Sequence, residues 1–452
     1  MTNNLKNIFV ILIALPVTIC FGQDKPMLTK RIIKEIAKNN YVAPFPDGFF
    51  FGETPQYKLF MQLAETATTA ELIKYTEDRR PIIRVYAVKC LDKRNYDGLF
   101  ELAIKHIKDT KKVAESGVHR SRDVYVGDYF VEVQNISESE RNQLDSILLF
   151  TDNKLFYLNW LLGEIGTNKS NYERIRYLAN KNEFAVIALA KYKREEDIKL
   201  IEEQILKNSY FTIEAIEFFP TEQFKETLLT LREQGYNYYG TKLAVASFKD
   251  SFSIDYFNHS LLKAKGNNYQ SGQRAKYIFE AISKYRDTIF TELFFNLWEN
   301  DQKIDTDIFN YLAKIDKEKC IYLSINSLKK PNNLDNSTLV ILTMLDFLIV
   351  NDNDAAKELI KLNIDSANVH KLSYFVEKAT NFKDQEIVNS MFYRLENTSN
   401  GHIYVPIVKT ILSFRDKELN ERLIKSIKEN SEIKDWGMEK VILYLDEYGL
   451  KI

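Results

Sequence analysis

Glycine and proline are scarce, at 15 and 9 in 452 residues, well under the combined share of about 12% usual in globular proteins. Few turns of special backbone geometry are therefore needed. That disfavours a body of many short strands and favours helices joined by short loops. Net charge is nearly absent, at −1, from 62 basic and 63 acidic residues. No basic field exists to hold nucleic acid, whose binding depends on neutralising phosphates, so no nucleic-acid partner is expected. Chemistry-bearing motifs are missing too. No HExxH, paired CxxC, P-loop, G-x-G-x-x-G or G-x-S-x-G occurs. No catalytic residue, cofactor or metal is assigned. The five histidines are scattered; His119, with Asp123 and Asp128 nearby, is the one set able to join a metal site, and such sets arise often by chance. His106, beside Lys105 and Lys108, reads as lying on a solvated helix face.

What is present begins with a targeting segment. Lys6 supplies a positive charge, and Ile8–Cys20 is a 13-residue apolar run, short against the roughly 20 residues of a membrane span. Cys20-Phe21-Gly22 sets small side chains at −3 and −1 before Gln23, so residues 1–22 read as a signal peptide cleaved after Gly22. Export to the periplasm or beyond follows, with no transmembrane span after cleavage. A lipid anchor on Cys20 is disfavoured by bulky Ile19. Cys90 and Cys320 remain. They stand far apart in apolar helical patterns and read as buried free thiols.

Along the second half one beat recurs: an apolar helical stretch, an aromatic, a basic residue, then Asp. It reads Phe248-Lys249-Asp250, Tyr285-Arg286-Asp287, Phe382-Lys383-Asp384 and Phe414-Arg415-Asp416. The spacing gives a unit of about 32 residues, in the range of helix-pair repeats. Local physics explains each member. The aromatic closes an apolar stripe, the basic residue meets the negative end of the helix dipole, and Asp caps the next helix for about 1 kcal/mol. Asp250, Asp287, Asp384 and Asp416 are thus read as structural.

Upstream, Pro81-x-x-Arg84-x-x-Ala87-x-x-x-Leu91 resembles the first helix of a HEAT repeat. The resemblance covers roughly residues 70–109; later repeats lack the Pro and Arg. It implies a right-handed α-solenoid of helix pairs, an all-α fold. For Pro81 and Arg84 it implies structural roles, Arg84 in an inter-repeat hydrogen-bond ladder. It brings no established activity.

The chain then reads as an N-terminal cap and irregular segment (23–56, including Phe49-Phe50-Phe51), first HEAT-like repeats (57–109), an insertion (110–136), helix-pair repeats (137–435) and a C-terminal capping helix (436–452). In the insertion, Val124-Tyr125-Val126 and Tyr129–Val133 flank Gly127-Asp128, a hairpin signal. A β-hairpin or ordered loop is expected there. Its residues His119, Arg120, Arg122, Tyr125, Asp128 and Tyr129 are the candidate contacts with an unknown protein partner. The function expected is a binding module or scaffold in the cell envelope, since solenoids create extended binding surfaces. Two alternatives are an envelope hydrolase or lyase with a site assembled across repeats, and a periplasmic inhibitor or immunity-type protein.

Overall fold

The computed structural model describes residues 25–43, 54–116, 121–236, 238–262, 268–334, 338–429 and 436–452. The targeting segment, Phe49–Phe51, His119 and Arg120 lie outside these residues. Among the described residues the chain is mostly helical, with one three-stranded sheet. It divides into two compact units, residues 1–219 and 220–452.

In the first unit the helix starts are set by local chemistry. Thr54 accepts a hydrogen bond from the Tyr57 amide ahead of Pro55–Thr66. Thr68 and Glu71 form a capping box at Thr69–Tyr75, as do Ser137 and Glu140 at Glu138–Phe150. Pro81 opens Pro81–Lys93, where its missing N–H is no loss. That helix buries side chains on all sides and so forms the centre of the unit. It packs with Ile32, Ile33 and Ile36 of Lys25–Ile36 and with Leu99 of Leu99–His106.

The sheet runs in the order β1 (Tyr41–Val42), β2 (Lys112–Ser116), β3 (Ser121–Tyr125). β1 is parallel to β2, and β2 and β3 form an antiparallel hairpin with Val113 opposite Val124 and Glu115 opposite Arg122. A hairpin therefore exists in the 110–136 segment, but not around Gly127-Asp128. Val126–Val131 is a helix. Its glycine serves close approach, not a turn: a Cβ on Gly127 would sit 2.9 Å from the His106 carbonyl oxygen and 2.8 Å from Leu155 Cδ2. The Gly127 amide donates to the Asp109 carbonyl at 2.9 Å. Val113, Val124, Val126 and Phe130 belong to the core of the unit, so the segment is integral to it.

Beyond the hairpin the described residues form one helix after another, from Glu138–Phe150 to Trp436–Glu447. Tyr172–Ala179 falls where periodicity puts it. Around residue 213 the helix is interrupted, leaving two short pieces, Ser209–Thr212 and Ala215–Phe218. The Thr212 hydroxyl donates to the Asn208 carbonyl four residues back at 2.5 Å, a contact that bends helices.

The second unit holds the helices from Gln223–Glu233 to Trp436–Glu447. Its aromatic core includes Phe290, Phe294, Phe295, Trp298 and Phe309, all fully buried. Cys90 and Cys320 are free and buried, and burial pushes each thiol up to about 12. In the closing helix, a Cβ on Gly437 would lie 2.5 Å from Tyr404 Oη and 2.9 Å from Gly401 Cα, so only glycine lets it lie against Gly401–Ser413.

At the recurring joint, Asp250 accepts from the Ser253 amide (3.2 Å), Asp287 from Ile289 (3.2 Å), Asp384 from Glu386 (2.9 Å) and Asp416 from Glu418 (2.9 Å). The basic residue has a further backbone part. Lys249, Arg286 and Arg415 take φ of 51°, 48° and 53°, the left-handed turn that ends helices and that glycine adopts most cheaply. Lysines from an earlier stretch of chain reach two of the caps, Lys225 to Asp250 and Lys357 to Asp384, both at 2.6 Å.

Candidate functional site

The hairpin and the helix Phe156–Glu164 share one face of the first unit. Arg122 reaches from β3 across the hairpin, with Nε 2.6 Å from Glu115 Oε2. Tyr129 donates its hydroxyl to Glu115 Oε1 at 3.2 Å. Burial, then the Glu115 carboxylate, push that hydroxyl upward, so it remains a donor. Lys89 Nζ lies 5.3 Å from the centre of the Tyr129 ring. Beside this cluster Tyr125 stacks on Phe156, centroids 5.1 Å apart at 17°. Phe156 and Trp160 stand four residues apart, on one helix face, and are 46% and 56% exposed. The result is an aromatic strip, Tyr125–Phe156–Trp160, alongside β3. Among the described strands, β3 pairs only with β2.

Sequence reading reached Arg122, Tyr125 and Tyr129 but not Phe156 or Trp160. Phe156–Glu164 is apolar around much of its circumference, with Tyr157, Leu158, Leu161 and Leu162 already buried. Apolar residues in excess of one buried stripe were the available signal.

Asp128 does not face this surface. It is fully buried and accepts the Tyr157 amide at 2.9 Å, capping Phe156–Glu164 from outside that helix. Asp123, by contrast, is exposed and pairs with Lys112 at 3.5 Å. The two carboxylates therefore serve different elements. Burial raises the Asp128 carboxyl to about 6, against 3.8 ordinarily. The folded protein then keeps a proton that the unfolded chain releases between these values. The group's contribution to stability is largest below pH about 4 and falls as pH rises to about 6, by about 3 kcal/mol. Asp128→Asn keeps an acceptor without the charge. It should match the parent in urea denaturation at low pH and exceed it at alkaline pH; a parallel pH dependence of the two proteins is the result that contradicts this.

Arg84 is nearly buried. Its Nε lies 2.8 Å from Asp109 Oδ2, and its guanidinium donates to the Asp78 carbonyl at 2.7 Å. His106 departs from the solvated position expected of it. It is buried, stacks on Phe130 with centroids 4.0 Å apart, and bonds Glu77 at 3.0 Å. The two flanking lysines misled the reading, because an amphipathic helix turns its faces within three residues.

A second kind of joint carries no evident motif. Basic side chains bond the closing carbonyls of an earlier helix, whose dipole ends there. Arg94 takes the Ala67 carbonyl at 2.6 Å, Arg174 that of Leu149 at 2.7 Å, and Arg394 that of Ala367 at 2.8 Å. Each spans 25 to 27 residues.

The second unit also contains a cavity of about 240 Å³ lined by Arg232, Tyr236, Lys242, His259, Ser260 and Arg274. Lys242 is 1% exposed on a helix, Tyr239–Ala246, whose residues from Thr241 on are buried on every side. A lone lysine inside such a stretch was the sequence signal. Burial, then Arg274 and Arg232, lower its ammonium to about 7.

Among the described residues no group of three or more His, Cys, Asp or Glu side chains is placed to hold a metal ion, and no helix is long and apolar enough to cross a membrane. In comparisons with protein families, with curated proteins and with solved structures, nothing matches this chain.

Proposed function

We propose that the protein is an exported helical-repeat binding module, a HEAT-like right-handed solenoid of helix pairs. It captures another protein through the face formed by β3 and Phe156–Glu164. The aromatic strip Tyr125–Phe156–Trp160 carries this reading. Trp, Tyr and Arg dominate the binding energy of protein interfaces, and here an exposed Trp, a stacked Tyr–Phe pair and the exposed Arg122 adjoin a strand that, among the described strands, is paired on one side only. Such a strand can accept an extended segment of a partner by backbone pairing. Two recurrences support the repeat architecture: left-handed basic–Asp joints and carbonyl-capping arginines at a near-constant separation. Export rests on the Lys6, Ile8–Cys20 and Gly22 pattern.

The segment's core residues make deletion of 110–136 unsuitable as a test, so substitutions on its exposed face serve instead. A photo-crosslinking residue at position 164 of the full chain, an exposed position one turn beyond Trp160, expressed in its native envelope, should give one dominant protein adduct. Arg122→Glu should abolish that adduct. Trp160→Ala should weaken capture of the same protein roughly 30-fold or more, as loss of a binding hot spot does. The same adduct formed equally from position 322, an exposed tyrosine in the second unit, overturns the assignment.

A further inference from the structure

Among the described residues, the cavity around Lys242 concentrates positive charge with no carboxylate paired to it. Lys242, Arg232 and Arg274 come from three helices, Tyr239–Ala246, Gln223–Glu233 and Asn268–Tyr285. Among the described residues none of the three pairs with a carboxylate, and Arg274 Nε is buried with no hydrogen-bond partner. Glu233 is the one acid among the described residues of the lining; it is exposed and bridges none of them. What the cations do have is an aromatic ring: Arg232 and Lys242 each lie 5.1 Å from the centre of the buried Tyr256.

The ring contact does not balance the cost. A cation over an aromatic face gains about 0.5 to 2 kcal/mol. Burying an ammonium costs several kcal/mol unless it is paired, and two guanidinium groups nearby add repulsion. A leucine or methionine at position 242 would suit an ordinary core. The ring therefore sets the direction of the two cations, and among the described residues no carboxylate supplies the balancing charge.

We propose that this cavity is a binding site for a small dianionic oxyanion of the phosphate or sulfate class, held by Lys242, Arg232 and Arg274. Guanidinium forks match tetrahedral oxyanions and can bind them in pairs of parallel hydrogen bonds. Three cations favour a dianion over a single carboxylate. Ser260 already donates its hydroxyl to the Tyr256 carbonyl at 2.8 Å, so recognition falls to the charged groups.

The test is calorimetric titration of the full-length protein with sulfate, inorganic phosphate and phenyl phosphate, using chloride at equal ionic strength as the blank. Saturable binding of sulfate and phosphate is expected. Preference for phenyl phosphate would place the oxyanion on an organic group; equal affinity would place it as the free ion. Lys242→Met should fold, because it replaces a buried ammonium with an apolar chain of similar length, and should weaken sulfate at least tenfold. Arg274→Gln, at a partly exposed position, should weaken it severalfold.

Sulfate stays dianionic near neutrality, so its pH dependence reports on the protein. The titratable and charged groups facing Lys242 are Arg232 and Glu233 on one helix, Tyr256 and His259 on the next, Arg274, and Tyr236 in the connection. Affinity should fall as pH rises through about 7, and should still fall in His259→Gln but not in Lys242→Met. Binding no stronger than chloride, or equal affinity in Lys242→Met, overturns the proposal.

Discussion

Trp298→Ala is expected to cost the second unit about 3 to 5 kcal/mol, the range for removing a large aromatic from a packed core. Trp298 has no exposed surface. Its indole N–H donates to Ser327 Oγ at 2.9 Å, and its ring meets Phe309 edge-on, centroids 5.6 Å apart at 70°. Phe309 in turn meets Phe347 at 5.3 Å and 87°. The indole thus joins its own helix, Thr291–Asp301, to Thr306–Ile315 and Lys317–Leu328, and Phe309 extends the contact to Thr338–Asn351. Alanine would leave a cavity that close-packed neighbours fill only in part, and it would strip the buried Ser327 hydroxyl of its donor. Two further variants separate these terms. Trp298→Phe keeps most of the apolar area and loses the hydrogen bond, so about 1 to 2 kcal/mol is expected. Adding Ser327→Ala to it removes the orphaned hydroxyl and should recover part of that loss. Urea denaturation of the four proteins, with hydrogen exchange to locate the change, is the measurement. A Trp298→Ala loss below about 1 kcal/mol would mean that the neighbours collapse into the space. Against a total stability of about 5 to 15 kcal/mol for ordinary proteins, the expected loss is large.

Helix positions were legible because each helix needs only a local apolar stripe, and the stripes are long. Ala87 with Cys90 and Leu91, and Tyr172 with Ile175 and Ala179, turn inward where a 3.6-residue period puts them. The caps were legible for the same reason: Asp384 and Asp416 act within three residues of themselves. What failed to show depends on distant partners. Gly127 and Asp128 form a familiar turn pair, yet the glycine answers to carbonyls at His106 and Asp109, and the aspartate to an amide at Tyr157. β1, only two residues long, is fixed by pairing with β2 some seventy residues later. The same limit hid both candidate sites. Trp160 and Lys242 each sit in apolar helical text, and only packing decides that the first is exposed and the second buried. The left-handed Lys249, Arg286 and Arg415 were hidden differently, because residues of their type seldom take that conformation.

Arg84→Ala should destabilise the first unit by about 3 to 5 kcal/mol, the cost of leaving a buried charge without its partner. Arg84 joins three pieces of chain. Its guanidinium meets the Asp109 carboxylate through Nε at 2.8 Å and Nη2 at 3.1 Å, and the Asp78 carbonyl through Nη1 at 2.7 Å. Asp109 also accepts from the Lys111 amide at 3.2 Å, and its backbone carbonyl receives Gly127. Burial raises the Asp109 carboxyl, but hydrogen bonds from His106 and Lys111 and the charge of Arg84 outweigh it, so the group lies below its ordinary value. Its stabilising effect is present above the unfolded value of 3.8 and is lost as pH falls through the lower folded value. Arg84→Ala should therefore lose most at neutral pH and little in acid. Arg84→Lys keeps the charge but not the fork, so an intermediate loss is expected. Arg84→Met with Asp109→Leu removes both charges and should be less damaging than Arg84→Ala alone, since no ion is then stranded. Hydrogen exchange distinguishes a local from a general effect. Asp109 sits between Leu99–His106 and β2, so protection should fall first in β2, β3 and Val126–Val131, the elements that carry the proposed partner face. A uniform loss across residues 25–218 would instead make Arg84 an ordinary core group with no special hold on the hairpin.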